Sequence, residues 1–339
     1  MKKPKKILII KNDKIGDMIF ASGVFREIKK YLPLAIIDVV ASPSNKAIIE
    51  ENKKINKIYI LKNAPRTLKD LYNYFLTSKL IKKEKYDFGI DLRGNVFNPF
   101  FLLFLPGVKY KSGFYFKFPS KLFLNLTFKR DVAKHETLMI LKMINNTLKI
   151  NAKNNWPDIE VSKKDIKNVE EFLKKNKLKE KKYICIAPEA SIPRRQWPFK
   201  NFVEVINFLK KKYPQYKLLL AGTDSENMRN ILKQCPYCIP VLNKNLREVH
   251  IIFKKSELCF VIDGGANHLA WSTGTKTLSI MSKFLVRHVQ PLGNNAIALA
   301  GGDNVQSAKN LGKLSVKEVE NNLDKMIGKK GFIPALKYF

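Results

Sequence analysis

The stretch KILIIKNDKIGDMIFASGVFREIKKYLP, Lys6 to Pro33, begins with an aliphatic run from Ile7 to Ile10, turns through polar residues and continues with apolar residues at helical spacing. A short buried run, a turn and an amphipathic helix form the first part of a βαβ unit in a parallel sheet. The turn carries no phosphate signature. It has neither the G-x-G-x-x-G of a dinucleotide fold nor the G-K-S/T of a phosphate-binding loop, only Gly16 followed by Asp17. The lone glycine is expected to let the chain turn tightly, leaving a carboxylate where such units usually set a phosphate.

The same alternation continues along the chain. Apolar strand candidates at Ile7–Ile10, Ile36–Ala41, Lys57–Leu61 and Phe88–Leu92 are separated by helices near Asp17–Tyr31, Asn45–Glu51 and Leu68–Lys82. After a polar stretch around Asn151–Asp158 the pattern restarts, with strands at Tyr183–Ala187, Lys217–Ala221, Leu258–Ile262 and Lys276–Ile280 and helices near Phe199–Lys212, Glu226–Gln234, Leu246–Lys254 and Ala266–Ser272. A last helix is expected at Val316–Met326, before a basic-aromatic tail. The expected class is α/β, with two Rossmann-like domains at 1–155 and 156–339.

Composition agrees with two folded domains: 339 residues, 45% of them hydrophobic, can bury two cores. The formal charge of +34 is evenly spread, since residues 1–150 hold 30 Lys/Arg against 12 Asp/Glu, a net of +18, which leaves +16 for the rest. Such a charge implies an anionic partner, or else a lysine-rich composition with no binding role. No recognition helix, zinc finger or RNA-binding aromatic motif favours nucleic acid. Four cysteines, a lysine-rich start and no long uncharged run point to a reducing cytosol without a membrane span. Cys235-Pro-Tyr-Cys238 follows a helix, whereas a redox C-x-x-C precedes one, and Cys185 and Cys259 stand apart from any second pair that zinc would need.

One segment departs from the alternation. Phe97 to Phe128 is crowded with aromatic residues and holds Lys109, Lys111, Lys117 and Lys121 without an acid among them. It reads either as a core helix followed by a lysine-studded hairpin, or as a surface that meets anionic lipid or an amphiphilic substrate.

Two turns in the second half carry chemistry. APEASIPRRQWPFKNF, Ala187 to Phe202, leaves a strand and presents Arg194 and Arg195 before a helix; VIDGGANHLAWSTGT, Val261 to Thr275, leaves another through Asp263, Gly264 and Gly265 and enters a helix at His268. Ligands of open α/β sheets gather at the carboxyl ends of strands, and a helix start directs free N–H groups at an anion, so a pyrophosphate fits these turns. The alternative for His268 is a satisfied structural residue.

Taken in order, KNDKIGDMIFASGVFREIKKYLP, YDFGIDLRGN at Tyr86–Asn95, KHETLMIL at Lys134–Leu141, APEASIPRRQWPFKNF, LLLAGTDSENMRNI at Leu218–Ile231 and DGGANHLAWSTGT resemble the successive motifs of the ADP-heptose:lipopolysaccharide heptosyltransferases, glycosyltransferase family 9. The resemblance implies the GT-B architecture, two Rossmann-like domains facing a central cleft, with the acceptor on the first and the nucleotide sugar on the second. It implies inverting transfer without a cofactor, with Asp17 as general base and Arg195 in place of the lysine that neutralises the departing phosphates. It further implies Ser191, Arg194, Glu226, Asp263, Gly264, Gly265 and His268 as the donor pocket. The expected partners are an ADP-heptose donor, an anionic glycolipid acceptor reached through Lys109, Lys111, Lys117 and Lys121, and the inner-membrane surface; nucleic acid is not among them. No D-x-D pair suited to a metal-bound diphosphate is present. Three features depart from the family: Gly264 replaces a small hydroxyl residue, Arg195 replaces the lysine, and SKFLVRHVQPLGNN, Ser282 to Asn295, replaces a glycine-proline stretch. The alternatives are a GT-B enzyme using another nucleotide sugar, a basic nucleic-acid-binding protein and an inactive scaffold.

Overall fold

The computed structural model describes residues 4–115, 118–190, 192–301, 311 and 313–328, and of these the side chains of 194, 283–285 and 328 are left out. Its contacts divide the chain into two compact units, Met1–Glu160 and Val161–Phe339. The first unit runs β1 (Lys6–Lys11), α1 (Ile15–Tyr31), β2 (Ile36–Ala41), β3 (Lys57–Ile60), α2 (Leu68–Glu84), β4 (Phe88–Asp91), a π-helix at Asn98–Phe104, β5 (Tyr110–Tyr115), α3 (Phe118–Lys121), β6 (Leu126–Lys129) and α4 (Glu136–Leu148). The second runs α5 (Lys163–Lys175), β7 (Tyr183–Ala187), α6 (Phe199–Lys212), β8 (Lys217–Gly222), α7 (Glu226–Gln234), β9 (Ile239–Leu242), α8 (Leu246–Lys255), β10 (Leu258–Ile262), α9 (Gly265–Ser272), β11 (Lys276–Ser282), α10 (Lys283–Val289), β12 (Ala296–Gly301) and α11 (Val316–Gly328).

Both units fold on one plan. The first sheet has the order β3-β2-β1-β4-β5-β6, and the second, read from its other edge, β9-β8-β7-β10-β11-β12. The pairings are parallel. This is the doubly wound α/β arrangement, in which the chain reverses its winding between the first and fourth strands of the sheet. The buried faces explain the apolar runs: Ile7 to Ile10 and Leu258 to Ile262 lie at the sheet centres without measurable exposure. In the second unit Trp197, Phe202 and Phe260 stack edge-on or tilted over the central strands.

Residues 151–160 pack back onto the first unit. Asn155 donates to the Phe20 carbonyl at 3.0 Å, and the Asp158 N–H donates to Ser22 Oγ at 2.9 Å. The approach demands glycine at position 23, where a β-carbon would stand 2.3 Å from the Trp156 carbonyl oxygen.

Three expectations are corrected. Gly16 makes no turn, because α1 begins at Ile15 and Gly16 is a buried residue of its first turn. The helix expected at Asn45–Glu51 shrinks to one 3₁₀ turn, Lys46–Ile48. Asn45 is instead engaged with the start of its own loop and with β1, accepting from Ser42 N–H at 2.9 Å and donating to the Lys11 carbonyl at 2.8 Å. The core-helix-and-hairpin reading of Phe97–Phe128 fails in its second half: β5 and β6 pair in parallel, joined by α3, and so cannot be a hairpin.

Candidate functional site

In both units the motif residues cluster where the winding reverses, at the carboxyl ends of the central strands. In the first unit the chain leaves β1 through Lys11, Asn12 and Asp13, and leaves β4 through Asp91, Arg93 and Gly94. Asp17 is the third residue of α1 and half-buried. Its carboxylate accepts the Lys14 N–H at 3.3 Å, so it rests against the open N–H end of the helix, where negative charge is favoured.

Sequence reasoning overlooked the buried charges behind Asp17. Lys11 Nζ lies 3.0 Å from Asp13 Oδ2 and 3.3 Å from Glu136 Oε1, and it also donates to the Leu92 carbonyl at 3.3 Å. Arg130 pairs with the same Glu136 oxygen, and Arg93 Nε stands 3.8 Å from Asp13 Oδ2. Burial alone would lower the Lys11 pKa, but Asp13, Glu136 and Asp17 outweigh it and hold the ammonium charged. Burial pushes the Asp13 carboxyl up to about 7 against the pull of Lys11, and the charge of Asp17 adds to the rise. Asp13 Oδ1 is buried without a hydrogen-bond partner among the described residues. Asp91 accepts the Arg93 and Gly94 N–H groups at 3.0 and 3.1 Å, and burial raises it to about 6 despite them. Gly94, at φ 84°, supplies the left-handed residue this turn needs. Polar residues directly after strands were the available signal, but the pairing of Lys11 with Glu136 spans 125 positions.

In the second unit the structure brings Arg195 and Asp263 together. Arg195 ends a 3₁₀ turn, Pro193–Arg195. That turn is fixed by Gln196, which accepts from Ala190 N–H at 2.9 Å and donates to the Pro188 carbonyl at 2.7 Å, and by Trp197, whose indole N–H donates to the Leu314 carbonyl at 3.2 Å. Arg195 Nη1 reaches Asp263 Oδ2 at 3.2 Å. Neither Asp263 oxygen has a hydrogen-bond partner among the described residues, although the carboxylate is buried at the end of β10. Burial raises its pKa and Arg195 opposes the rise. Buried acceptors left unpaired in this way are costly unless a donor group reaches them.

Gly264 and Gly265 lead from Asp263 into α9. The backbone at Gly264 is extended, φ 168°, and a β-carbon there would meet nothing nearer than the Ile262 carbonyl oxygen at 4.0 Å. Packing among the described residues therefore does not demand glycine at this position. His268 is buried on the first turn of α9 and accepts the Trp271 indole N–H at 3.4 Å. Next to it Asn267 is buried, and its Oδ1 has no hydrogen-bond partner among the described residues. Glu226 is exposed at the start of α7, and among the described residues no hydrogen bond or ion pair joins it to Arg195 or Asp263. The β7 and β8 loops are tied by Glu189, which accepts from Ser225 Oγ and, at 3.1 Å, from Thr223 Oγ1. Ser191, the side chain of Arg194 and Lys117 lie outside the described residues.

The remaining lysines take other partners. Lys109 is exposed and pairs with Asp87 at 3.5 Å, so an acid from outside the aromatic segment answers it, contrary to the sequence reading. Lys111 donates to the Val108 carbonyl at 3.1 Å, and Lys121 lies 4.1 Å over the Tyr115 ring. The C-x-x-C cysteines, Cys235 and Cys238, are buried, and burial pushes the Cys238 thiol up to about 12. They are inert packing residues. Among the described residues no group of three or more His, Cys, Asp or Glu side chains could hold a metal ion, and no helix is long and apolar enough to cross a membrane.

Comparisons with known proteins agree on the family. The glycosyltransferase family 9 (heptosyltransferase) profile matches residues 76–319. Lipopolysaccharide heptosyltransferase 3 of Escherichia coli is 33% identical over 78 residues, which span 23% of each chain. Among solved structures, the family 9 glycosyl transferase of Veillonella parvula superposes with a TM-score of 0.82 at 17% identity, covering 96% of this chain and 98% of that one. The E. coli ADP-heptose lipopolysaccharide heptosyltransferase II gives 0.77 at 18% identity over 95% and 98%, and the E. coli heptosyltransferase WaaC, solved with ADP, 0.76 at 14% over 95% and 99%. The two parallel six-stranded sheets are those of the GT-B fold. With well over half of its length matched, the chain belongs to glycosyltransferase family 9, the heptosyltransferases.

Proposed function

We propose that the protein is an inverting glycosyltransferase that moves heptose from ADP-heptose to an acceptor of the lipopolysaccharide core. The observation that carries this reading is the buried Asp263 carboxylate, paired with Arg195 and open to hydrogen-bond donors at the start of α9. Family membership supports the reaction class, and the heptosyltransferases it superposes on include one solved with ADP.

In the proposed reaction an acceptor hydroxyl oxygen bonds to the anomeric carbon from the side opposite the nucleotide. Its proton passes to the Asp17 carboxylate. The bond from the anomeric carbon to the phosphate oxygen breaks, its electron pair stays on the diphosphate, and the sugar configuration inverts. Asp17 suits the proton because helix N–H groups stabilise it as an anion before attack. Arg195 and the free N–H groups of α9 balance the charge that grows on the diphosphate, without a metal ion or cofactor. Asp263, Asn267 and His268 hold the donor, with Ser191, Arg194, Glu226, Gly264 and Gly265 completing its pocket. The first unit takes the acceptor and the second the donor. The enzyme works on the cytoplasmic face of the inner membrane, where lysines such as the exposed Lys109 and the half-buried Lys121 meet anionic glycolipid.

A second reading, the same chemistry with another nucleotide sugar, is favoured by Gly264, whose missing side chain leaves space beside Asp263. Transfer assays with a panel of nucleotide sugars and truncated core oligosaccharides decide between them. Turnover with ADP-heptose above the other donors is expected. Preference for a different sugar selects the second reading, and no transfer from any donor overturns both.

A further inference from the structure

We infer that α2, together with the π-helix and α3 beside it, forms a surface that docks onto an anionic phospholipid bilayer, with α2 lying flat at the interface. Helix α2 is apolar on two opposite sides. Tyr74, Thr77, Ser78 and Ile81 turn inward and are buried. On the outer side Leu68, Leu71, Tyr72, Phe75, Leu76 and Leu80 are exposed at helical spacing, Leu68 at 87% and Tyr72 at 60%. A helix that only covers a sheet keeps its outward side polar.

The layer continues sideways. Tyr74 of α2 meets Phe97 and Phe101 at ring distances of 6.4 and 5.8 Å, and Phe100 and Phe104 of the π-helix meet Phe123 just after α3 at 5.1 and 5.3 Å. Tyr74, Ile81, Leu102 and Leu103 share one core cluster, so α2 and the π-helix cover the same sheet face and point their outer sides the same way. There Phe104, Leu105, Phe118 and Leu122 are exposed. Among the described residues, 11 of the 18 exposed large hydrophobic side chains fall between Leu68 and Leu122, and the second unit has only Ile166. Apolar surface this concentrated marks an interaction site.

Charge selects the occupant. The stretch 68–129 holds ten lysines and four acids. Asp70 pairs with Lys62, Glu84 with Lys6 and Lys57, Asp87 with Lys109, and Asp91 is buried. The outer side of α2 thus offers Lys69, Lys79, Lys82 and Lys83 with every carboxylate engaged, and Lys79 rides 4.6 Å over the Phe75 ring. A second copy would set lysines against lysines. A bilayer with anionic headgroups satisfies both the apolar stripe and the cations. The inference rests on the proposed membrane-surface role, deepens it, and moves its centre from Lys109 to α2.

The test exploits the native cysteines, which are all buried, so that an added surface cysteine takes label selectively. Tyr72→Cys carrying an environment-sensitive NBD dye is mixed with vesicles of phosphatidylglycerol and phosphatidylcholine in equal parts, and Lys233→Cys on α7 serves as control. Blue-shifted, brightened emission at position 72 alone is expected. The combined Leu68→Ser, Tyr72→Ser, Phe75→Ser and Leu80→Ser variant, checked for folding by its thermal melt, should partition onto these vesicles at least about tenfold more weakly. An unresponsive dye, unchanged partitioning, or a self-association that the variant abolishes overturns the inference. Transfer to a lipid-free acceptor should persist in that variant, so its loss would strike the catalytic reading, and failure to dock would not.

Discussion

Replacing Arg195 with methionine tests whether the second unit holds a charged carboxylate in reserve for a ligand. Two unit charges 3.2 Å apart, the separation of Arg195 Nη1 and Asp263 Oδ2, attract by about 5 kcal/mol at an effective dielectric constant of about 20. Arg195 keeps 24% of its side chain in solvent while Asp263 has none, so water recovers part of the loss and a net cost of about 2–3 kcal/mol remains. In a unit of this size that lowers the melting temperature by about 4–12 °C. The cost depends on pH in a defined direction. Burial already raises the Asp263 pKa, and removing Arg195 raises it further. Above that pKa the variant must bury an unpaired anion; below it the carboxyl is neutral and the penalty fades. Urea unfolding of the parent and of Arg195→Met at an alkaline and an acid pH should therefore show the larger difference at the alkaline value and the smaller at the acid one. Equal differences at both values, or none at either, would refute the pairing as the source of the effect.

Asp165→Asn probes the opposite case. Burial pushes the Asp165 carboxyl up, but Arg247, 2.7 Å away, Ser162 and Asn245 outweigh it and hold it well below the usual carboxylate range. The variant should lose about 2 kcal/mol near neutral pH, and the difference should shrink as acid protonates the native side chain; acid and neutral melts that differ alike would contradict this. Because Arg195 and the start of α9 are assigned the departing charge, transfer should survive excess EDTA, and turnover lost in chelator and restored by magnesium would defeat that assignment. Lys11→Met should destabilise the first unit by about 3–5 kcal/mol, since it strips the buried Asp13 and Glu136 of the ammonium within 3.0 and 3.3 Å; a melt within a degree of the parent would show the cluster to be solvated.

The central strands were legible because burial on both faces leaves continuous aliphatic runs, as at Ile7–Ile10 and Leu258–Ile262. The strands that escaped notice lie mostly at sheet edges. β6, β9 and β12 end their sheets, and β9 carries Pro240, which interrupts a strand-like run. β5 lies inside its sheet yet holds Lys111, Ser112 and Gly113, so its sequence lacks the aliphatic signature. The site divides in the same way. Asp17, Asp263, Gly264 and His268 follow strands and announce themselves by position, and the meeting of Arg195 with Asp263 depends only on two neighbouring strands, β7 and β10. The charges around Lys11 did not, because Glu136 and Arg130 reach it through tertiary folding from far along the chain. The outward stripe of α2 was hidden by its own amphipathic pattern, which the buried side satisfies without revealing that the other side is apolar too.

The account turns on Asp17, and one substitution separates its two roles. As the third residue of α1 it accepts the Lys14 N–H, a structural duty that asparagine can also perform through its amide oxygen. Asparagine cannot take a proton from an attacking hydroxyl, and loss of a general base costs about 10²–10⁴ in rate. The direct measurement is transfer turnover of Asp17→Asn beside its melting temperature and its affinity for the nucleotide-sugar donor. The prediction is an unchanged melt, unchanged donor binding and turnover reduced by at least about a hundredfold; near-normal turnover in a folded, donor-binding variant would contradict it.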